Sequence, residues 1–72
     1  MDIVIGGKYR HYKGNEYRVV GIATHSETEE QMVVYKALYD GESLWVRPIS
    51  MWNEKVNVNG EEVLRFSYIN EV

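Results

Sequence analysis

Six tyrosines, two tryptophans and one phenylalanine occur in this 72-residue chain, and most of them have a cationic residue beside them. The pairs are Tyr9 and Arg10, Tyr12 and Lys13, Tyr17 and Arg18, Tyr35 and Lys36, Trp45 with Arg47, and Arg65 and Phe66. A flat ring beside a guanidinium or ammonium group suits the binding of a flat or anionic ligand. The same rings can instead form the walls of a small β core, so the pairs alone leave both interpretations open.

Strand alternation predicts which of these side chains share a surface, because successive residues of a strand point to opposite faces. Aliphatic side chains mark one face, which we expect to be the core: Met32, Val34, Leu38, Leu44 and Val46. The other face is then a candidate ligand-binding surface made of Tyr9, His11, Tyr35, Trp45 and Arg47. On the alternative interpretation, these rings only cover a core too small to be closed by aliphatic side chains.

An aromatic face beside a guanidinium predicts a non-catalytic binding module for a peptide or a partner protein. The alternative is binding of single-stranded nucleic acid or a nucleotide, in which rings stack on bases and cations neutralise phosphates. The cations available for that role are Lys8, Arg10, Lys13, Arg18 and Arg47. Eight Lys and Arg against eleven Asp and Glu give a net charge of −3, which disfavours a polyanionic partner.

Catalytic and metal-binding patterns are weak, so we expect no enzyme, no cofactor and no metal. The chain has no cysteine, and none of its serines lies in a Gly-X-Ser-X-Gly elbow. His25 precedes Glu27, Glu29 and Glu30, and with His11 these residues suggest a metal-dependent hydrolase as a third, weaker hypothesis. We expect instead a solvated loop that His25 and Ser26 hold through backbone hydrogen bonds.

Short apolar runs rich in Val, Ile, Tyr and Trp, separated by Gly, Asn and Asp, predict an all-β chain. The predicted strands are Lys8–Tyr12, Glu16–Thr24, Met32–Leu38, Ser43–Arg47, Lys55–Val58 and Glu62–Ile69, with turns at Lys13–Asn15, Asp40–Gly41 and Asn59–Gly60 and a short 3₁₀ turn over Ile49–Asn53. Met51 and Trp52 are expected to pack onto the core from that turn. Gly21 lies in mid-strand, where we expect a bend or a close backbone approach.

Five or six short antiparallel strands with apolar residues on both faces must curl to cover them. We therefore predict one small domain over residues 1–72, a barrel or roll of the SH3-like type; an OB-like barrel is the alternative. The absence of cysteine suits a reducing cytoplasm, and no apolar run approaches the roughly 20 residues needed to span a bilayer. A cytoplasmic location without membrane association is the resulting expectation.

The residues also resemble the bacterial domain-of-unknown-function family numbered 1653, over about Gly7 to Ile69. The resemblance rests on Gly7–Asn15, Tyr17, Val19–Ala23, His25–Glu29, Val33–Tyr35, Ala37–Tyr39, Leu44–Pro48 and Met51. The family pattern commonly has Phe at position 52, where this chain has Trp52, which keeps an aromatic plug. The resemblance implies a small bacterial SH3-type β-roll and no assigned activity.

Overall fold

The structure is a computed structural model that describes residues 3–39, 41 and 43–70. It is all-β, with seven strands and one helical turn in the described part of the chain. The elements are β1 (Lys8–His11), β2 (Glu16–Thr24), β3 (Gln31–Ala37), β4 (Leu44–Pro48), α1 (Ile49–Trp52), β5 (Lys55–Val58), β6 (Glu61–Leu64) and β7 (Phe66–Asn70). No helix among these residues is long and apolar enough to cross a membrane.

The strands form two antiparallel sheets. Five of them make a sheet in the order β4-β3-β2-β1-β7, and β5 pairs with β6 in a separate hairpin. Tyr35 on β3 and Phe66 on β7 lie with ring centroids 5.7 Å apart, although two other strands separate them in the sheet order. The five-stranded sheet is therefore strongly curled, and its concave side holds the core. The predicted all-β class is confirmed, and the SH3-like subtype stays a prediction.

The turns follow the expected chemistry. Gly14 has φ +110° between β1 and β2, and Asn59 and Gly60 have φ +53° and +86° at the tip of the β5–β6 hairpin. Both are turn positions that require the left-handed region. The predicted turn at Asp40–Gly41 falls partly outside the described residues, and Gly41 itself has φ +65°.

The bounds of β1, β3 and β4 differ from the predicted ones by one residue, and two other predicted elements differ in their organisation. The long strand Glu62–Ile69 is divided at Arg65, whose backbone N–H donates to the carbonyl of Glu54 and whose carbonyl accepts from Tyr12 N. These bonds take Arg65 out of the strand ladders and separate β6 from β7. The turn after Pro48 is one α-helical turn, since the N–H of Asn53 bonds to the carbonyl four residues before it.

The core is aromatic, and the predicted core face is wrong. The buried apolar residues are Tyr9, Val19, Val33, Tyr35, Ala37, Trp52 and Phe66. Leu44 and Val46, expected in the core, are 65% and 59% exposed, and Met32, Val34 and Leu38 are only half-buried. Alternation states which residues share a face and not which face is concave; here the larger aromatic surfaces occupy the concave side.

The helical turn α1 places the ring of Trp52 in the core. Trp52 is buried as predicted, and its ring stacks on Phe66 with centroids 3.9 Å apart and planes at 3°. Met51, also expected to pack inward, is exposed instead. Ile49, three positions before Trp52 and so on the same side of the helix, also packs against the core, whereas neighbouring positions such as Met51 and Trp52 point about 100° apart.

Of the two alternatives predicted for Gly21, the structure shows the bend, and a close backbone approach occurs at Gly7 instead. The β2–β3 register shifts between Val19 and Gly21, so the expected bend is a β-bulge, but an added Cβ at Gly21 has no heavy atom within 4 Å. A Cβ at Gly7 would lie 2.9 Å from the carbonyl oxygen of Val4 and 3.0 Å from the ring of Tyr68. The close backbone approach is thus at Gly7, where the N-terminal segment turns back along β1.

We therefore predict that Gly7→Ala destabilises the protein by about 1 to 3 kcal/mol, because the backbone at Val4 cannot move away as a flexible side chain would. The measurement is equilibrium unfolding in urea followed by tryptophan fluorescence. Gly21→Ala is the matched control, and we expect it to change the free energy of unfolding by less than about 1 kcal/mol. Equal losses in the two variants would contradict the packing role assigned to Gly7.

Candidate binding surface

The five residues predicted to form a binding face do not stay together. Tyr9 and Tyr35 are 5% and 6% exposed and belong to the core, whereas Trp45 is 53% exposed. His11 and Arg47 are half-buried. The curled sheet explains the division, since residues on one face of a strand are covered at the centre of the sheet and accessible near its ends.

Tyr9 and Tyr35 have structural roles. Their rings meet the ring of Trp52 edge-on, with centroid distances of 5.3 Å and 4.9 Å. The hydroxyl oxygen of Tyr9 accepts a hydrogen bond from the backbone N–H of Val4 at 3.0 Å, which satisfies the polar end of a buried ring. Their assignment to a ligand-contacting face is corrected, because neither ring presents a surface to solvent.

Trp45 shares the concave face but lies at the sheet edge. It is directly opposite Tyr35 in the β3–β4 register, so the two side chains are on the same side. Because β4 is an edge strand, no further strand of the sheet covers the indole. The indole N–H donates to Ser43 Oγ at 3.1 Å, which leaves the ring itself exposed.

Arg47 is held by an aromatic ring rather than by a carboxylate. Its guanidinium carbon lies 5.5 Å from the centroid of Phe66, within cation–π distance. Among the residues that the structure describes it makes no ion pair, and its Nε is buried without a hydrogen-bond partner. A buried donor without a partner costs about 1 to 3 kcal/mol, so this arrangement is unfavourable for the folded chain.

His11 packs against the same ring and lies among positive charges. Its imidazole meets Phe66 edge-on at 5.0 Å, and its Nδ1 accepts from the backbone N–H of Lys13 at 3.2 Å. Burial is the main cause of a pKa below the usual value of 6.5, and the charges of Arg47, Arg65 and Lys13 lower that pKa further. Since unfolding restores the usual pKa, protonation of His11 lowers stability as the pH falls below about 6.5.

Arg65 completes this group, which we name the cationic rim: His11, Arg47, Arg65 and the ring of Phe66. Arg65 Nη2 lies 3.3 Å from Glu54 Oε1, and its Nε is buried without a partner, like that of Arg47. In the sequence Arg65 is recognisable only as a neighbour of Phe66. Its place in the rim follows from the break between β6 and β7, which brings its charge close enough to lower the pKa of His11.

A separate cleft of about 550 Å³ lies between the β5–β6 hairpin and the neighbouring ends of β1 and β7. Its lining residues are Arg10, His11, Tyr12, Val58, Val63, Leu64, Ser67, Tyr68 and Ile69. His11 is the one member of the predicted binding face among them. No local sequence pattern predicts this cleft, because the cleft depends on the position of the β5–β6 hairpin relative to β1 and β7.

The loop after β2 is built as a hydrogen-bonded turn. His25 Nδ1 accepts from the backbone N–H groups of Glu27 at 3.1 Å and Thr28 at 3.3 Å, and the N–H of His25 donates to the carbonyl of Glu30. His25 therefore holds the loop as expected. Within residues 3–39, 41 and 43–70, no three His, Cys, Asp or Glu side chains converge in a way that would hold a metal ion.

We predict that Arg47→Gln raises the pKa of His11, because it removes the nearby charge that lowers this pKa most. An NMR titration of the imidazole Cε1–H signal measures the effect. Lys55→Gln, which removes an equal charge from the exposed start of β5, is the matched control and should leave the pKa of His11 unchanged. An unchanged pKa in Arg47→Gln would show that Arg47 does not act on this imidazole.

Comparison with known proteins agrees with this architecture. A family model described as "Protein of unknown function (DUF1653)" matches residues 7–68. The crystal structure of a protein belonging to DUF1653 from Bordetella bronchiseptica is similar, with 38% sequence identity and a TM-score of 0.88 over 99% of this chain and 92% of that chain. No curated protein matches the chain. The resemblance noted from the sequence is thereby confirmed, and the chain belongs to the DUF1653 family of proteins of unknown function.

Proposed function

We propose that the protein is a non-catalytic binding module that recognises an extended, acidic peptide segment of a partner protein at edge strand β4. The observation that carries this proposal is Arg47, whose guanidinium lies over the ring of Phe66 and makes no ion pair with a described residue. It lies two residues from the exposed ring of Trp45 on the same face of the strand. An aromatic surface beside an unpaired cation suits a ligand with a carboxylate.

The edge of β4 supports an extended ligand. Three consecutive large apolar residues, Leu44, Trp45 and Val46, are exposed there. Edge strands are usually protected by charges, prolines or bulges, and in β4 such protection occurs only at its end, at Arg47 and Pro48. The first three residues are thus suited to strand addition, in which main-chain hydrogen bonds give affinity and alternate side chains give specificity.

The distribution of cations favours a peptide over single-stranded nucleic acid. Lys8 and Arg10 both pair with Glu16, at 3.6 Å and 2.9 Å, and by register they lie on the convex face of the sheet. Arg47 lies on the concave face. A phosphate backbone needs cations along one continuous path, whereas a peptide needs a single cation beside an open strand edge.

We predict that a decapeptide alternating valine and threonine, with a central glutamate, shifts the backbone amide signals of residues 44–47 in ¹⁵N–¹H spectra. The same peptide with a central lysine should bind at least about tenfold more weakly, because like charges oppose each other at Arg47. Arg47→Gln should remove the preference for glutamate, and Trp45→Ala should weaken binding of every peptide by about tenfold.

Lys55→Gln serves again as the control that removes one positive charge away from β4, and it should leave the preference intact. Equal binding of the glutamate and lysine peptides would reject the role of Arg47. Sedimentation that shows self-association, abolished by Trp45→Glu in the absence of peptide, would identify a second copy of the chain as the occupant of β4 and would contradict a peptide partner.

A further inference from the structure

The cleft between the β5–β6 hairpin and β7 has the size and the walls of a small-molecule site. Its volume of about 550 Å³ lies within the roughly 300 to 1,000 Å³ that such sites occupy. The hairpin contributes Val58, Val63 and Leu64 to the lining, and Tyr12, Tyr68 and Ile69 also line the cleft. Most of the described lining residues are therefore aliphatic or aromatic, which suits a ligand with an apolar body.

Arg10 is the permanently charged side chain among the described residues that line the cleft, and none of these described residues is acidic. Its guanidinium gives this part of the cleft electrostatic complementarity to an anion.

Arg10 retains donors for a ligand. One of its terminal nitrogens lies 2.9 Å from Glu16, and the side chain is 56% exposed. Glu16 also pairs with Lys8, so two cations share a single carboxylate and the group keeps a net positive charge. A guanidinium carries five N–H donors in a planar fork, and the bond to Glu16 uses only part of them.

We propose that this cleft binds a small organic carboxylate with an aromatic body. The carboxylate lies against Arg10 and Ser67, which are paired in the β1–β7 register and share one face of the sheet, and the ring lies between the valines of the hairpin and Ile69. No residue of β4 lines this cleft, so failure of ligand binding in the cleft would leave the peptide-binding proposal for β4 unaffected, and the reverse also holds.

The test uses naphthalene-1-acetate and its uncharged analogue naphthalene-1-acetamide as probes in ¹⁵N–¹H titrations of the full chain. We expect the acid to cause saturable shifts at residues 58, 63 and 67–69 and to bind about tenfold more tightly than the amide, the factor for one charge-assisted hydrogen bond. Arg10→Gln should remove this tenfold difference. Val63→Thr should weaken binding of both probes, because it places a hydroxyl in the apolar part of the lining.

Val20→Thr is the matched control: Val20 is exposed on β2, outside the cleft, and the substitution should leave both affinities unchanged. The proposal is overturned if the acid and the amide bind equally, if Arg10→Gln has no effect, or if the shifts occur at residues 44–47 instead. It is likewise overturned if no saturable shift occurs up to about 10 mM acid, which corresponds to less than about 3 kcal/mol of binding free energy.

Discussion

Trp52 and Phe66 stack with their ring centroids 3.9 Å apart, and the remaining core is arranged around this pair. Trp52 comes from the single helical turn and Phe66 from the last strand, so the contact joins two elements that have no backbone pairing with each other. Tyr9 and Tyr35 then meet Trp52 edge-on. Stacked and edge-to-face pairs each add about 0.5 to 1.5 kcal/mol beyond the area they bury, which is large for a chain of this size.

Phe66 also connects this core to the surface. Its ring contacts Trp52 inside and approaches both His11 and the guanidinium of Arg47 at the rim. Because an aromatic ring rather than a carboxylate positions Arg47, its guanidinium has no ion pair with a described residue. The same packing that stabilises the core therefore holds an uncompensated positive charge at the rim.

The positions of most strands and turns could be predicted from the sequence, whereas the buried face of each strand could not. The turn at Asn59–Gly60 and the strand Glu16–Thr24 depend on local chemistry, namely left-handed turn residues and a β-branched run, and both were found correctly. Which face of β3 is buried depends on the direction in which the sheet curls, and that direction is set by contacts between distant residues such as Tyr35 and Phe66. Counting aliphatic residues favoured Leu44 and Val46, yet both are exposed.

The residues of the candidate sites show the same distinction between local patterns and long-range contacts. The prediction that Trp45 and Arg47 share a face is confirmed, because residues two positions apart on a strand do so regardless of which face is buried. Arg65 and the hairpin wall of the cleft were missed, since both depend on the interruption that separates β6 from β7. No local motif encodes that interruption, which consists of two backbone hydrogen bonds to Glu54 and Tyr12.

The cationic rim is where the requirements of folding conflict. Arg47 and Arg65 each keep a buried nitrogen without a partner, and together they lower the pKa of His11 beyond what burial alone causes. Neither feature stabilises the folded chain, and protonation of His11 makes the rim still less favourable as the pH falls. An anion bound beside the two guanidinium groups would reduce their repulsion and raise the pKa of His11. Local conflicts of this kind concentrate at functional sites, where binding offsets a cost that folding alone does not.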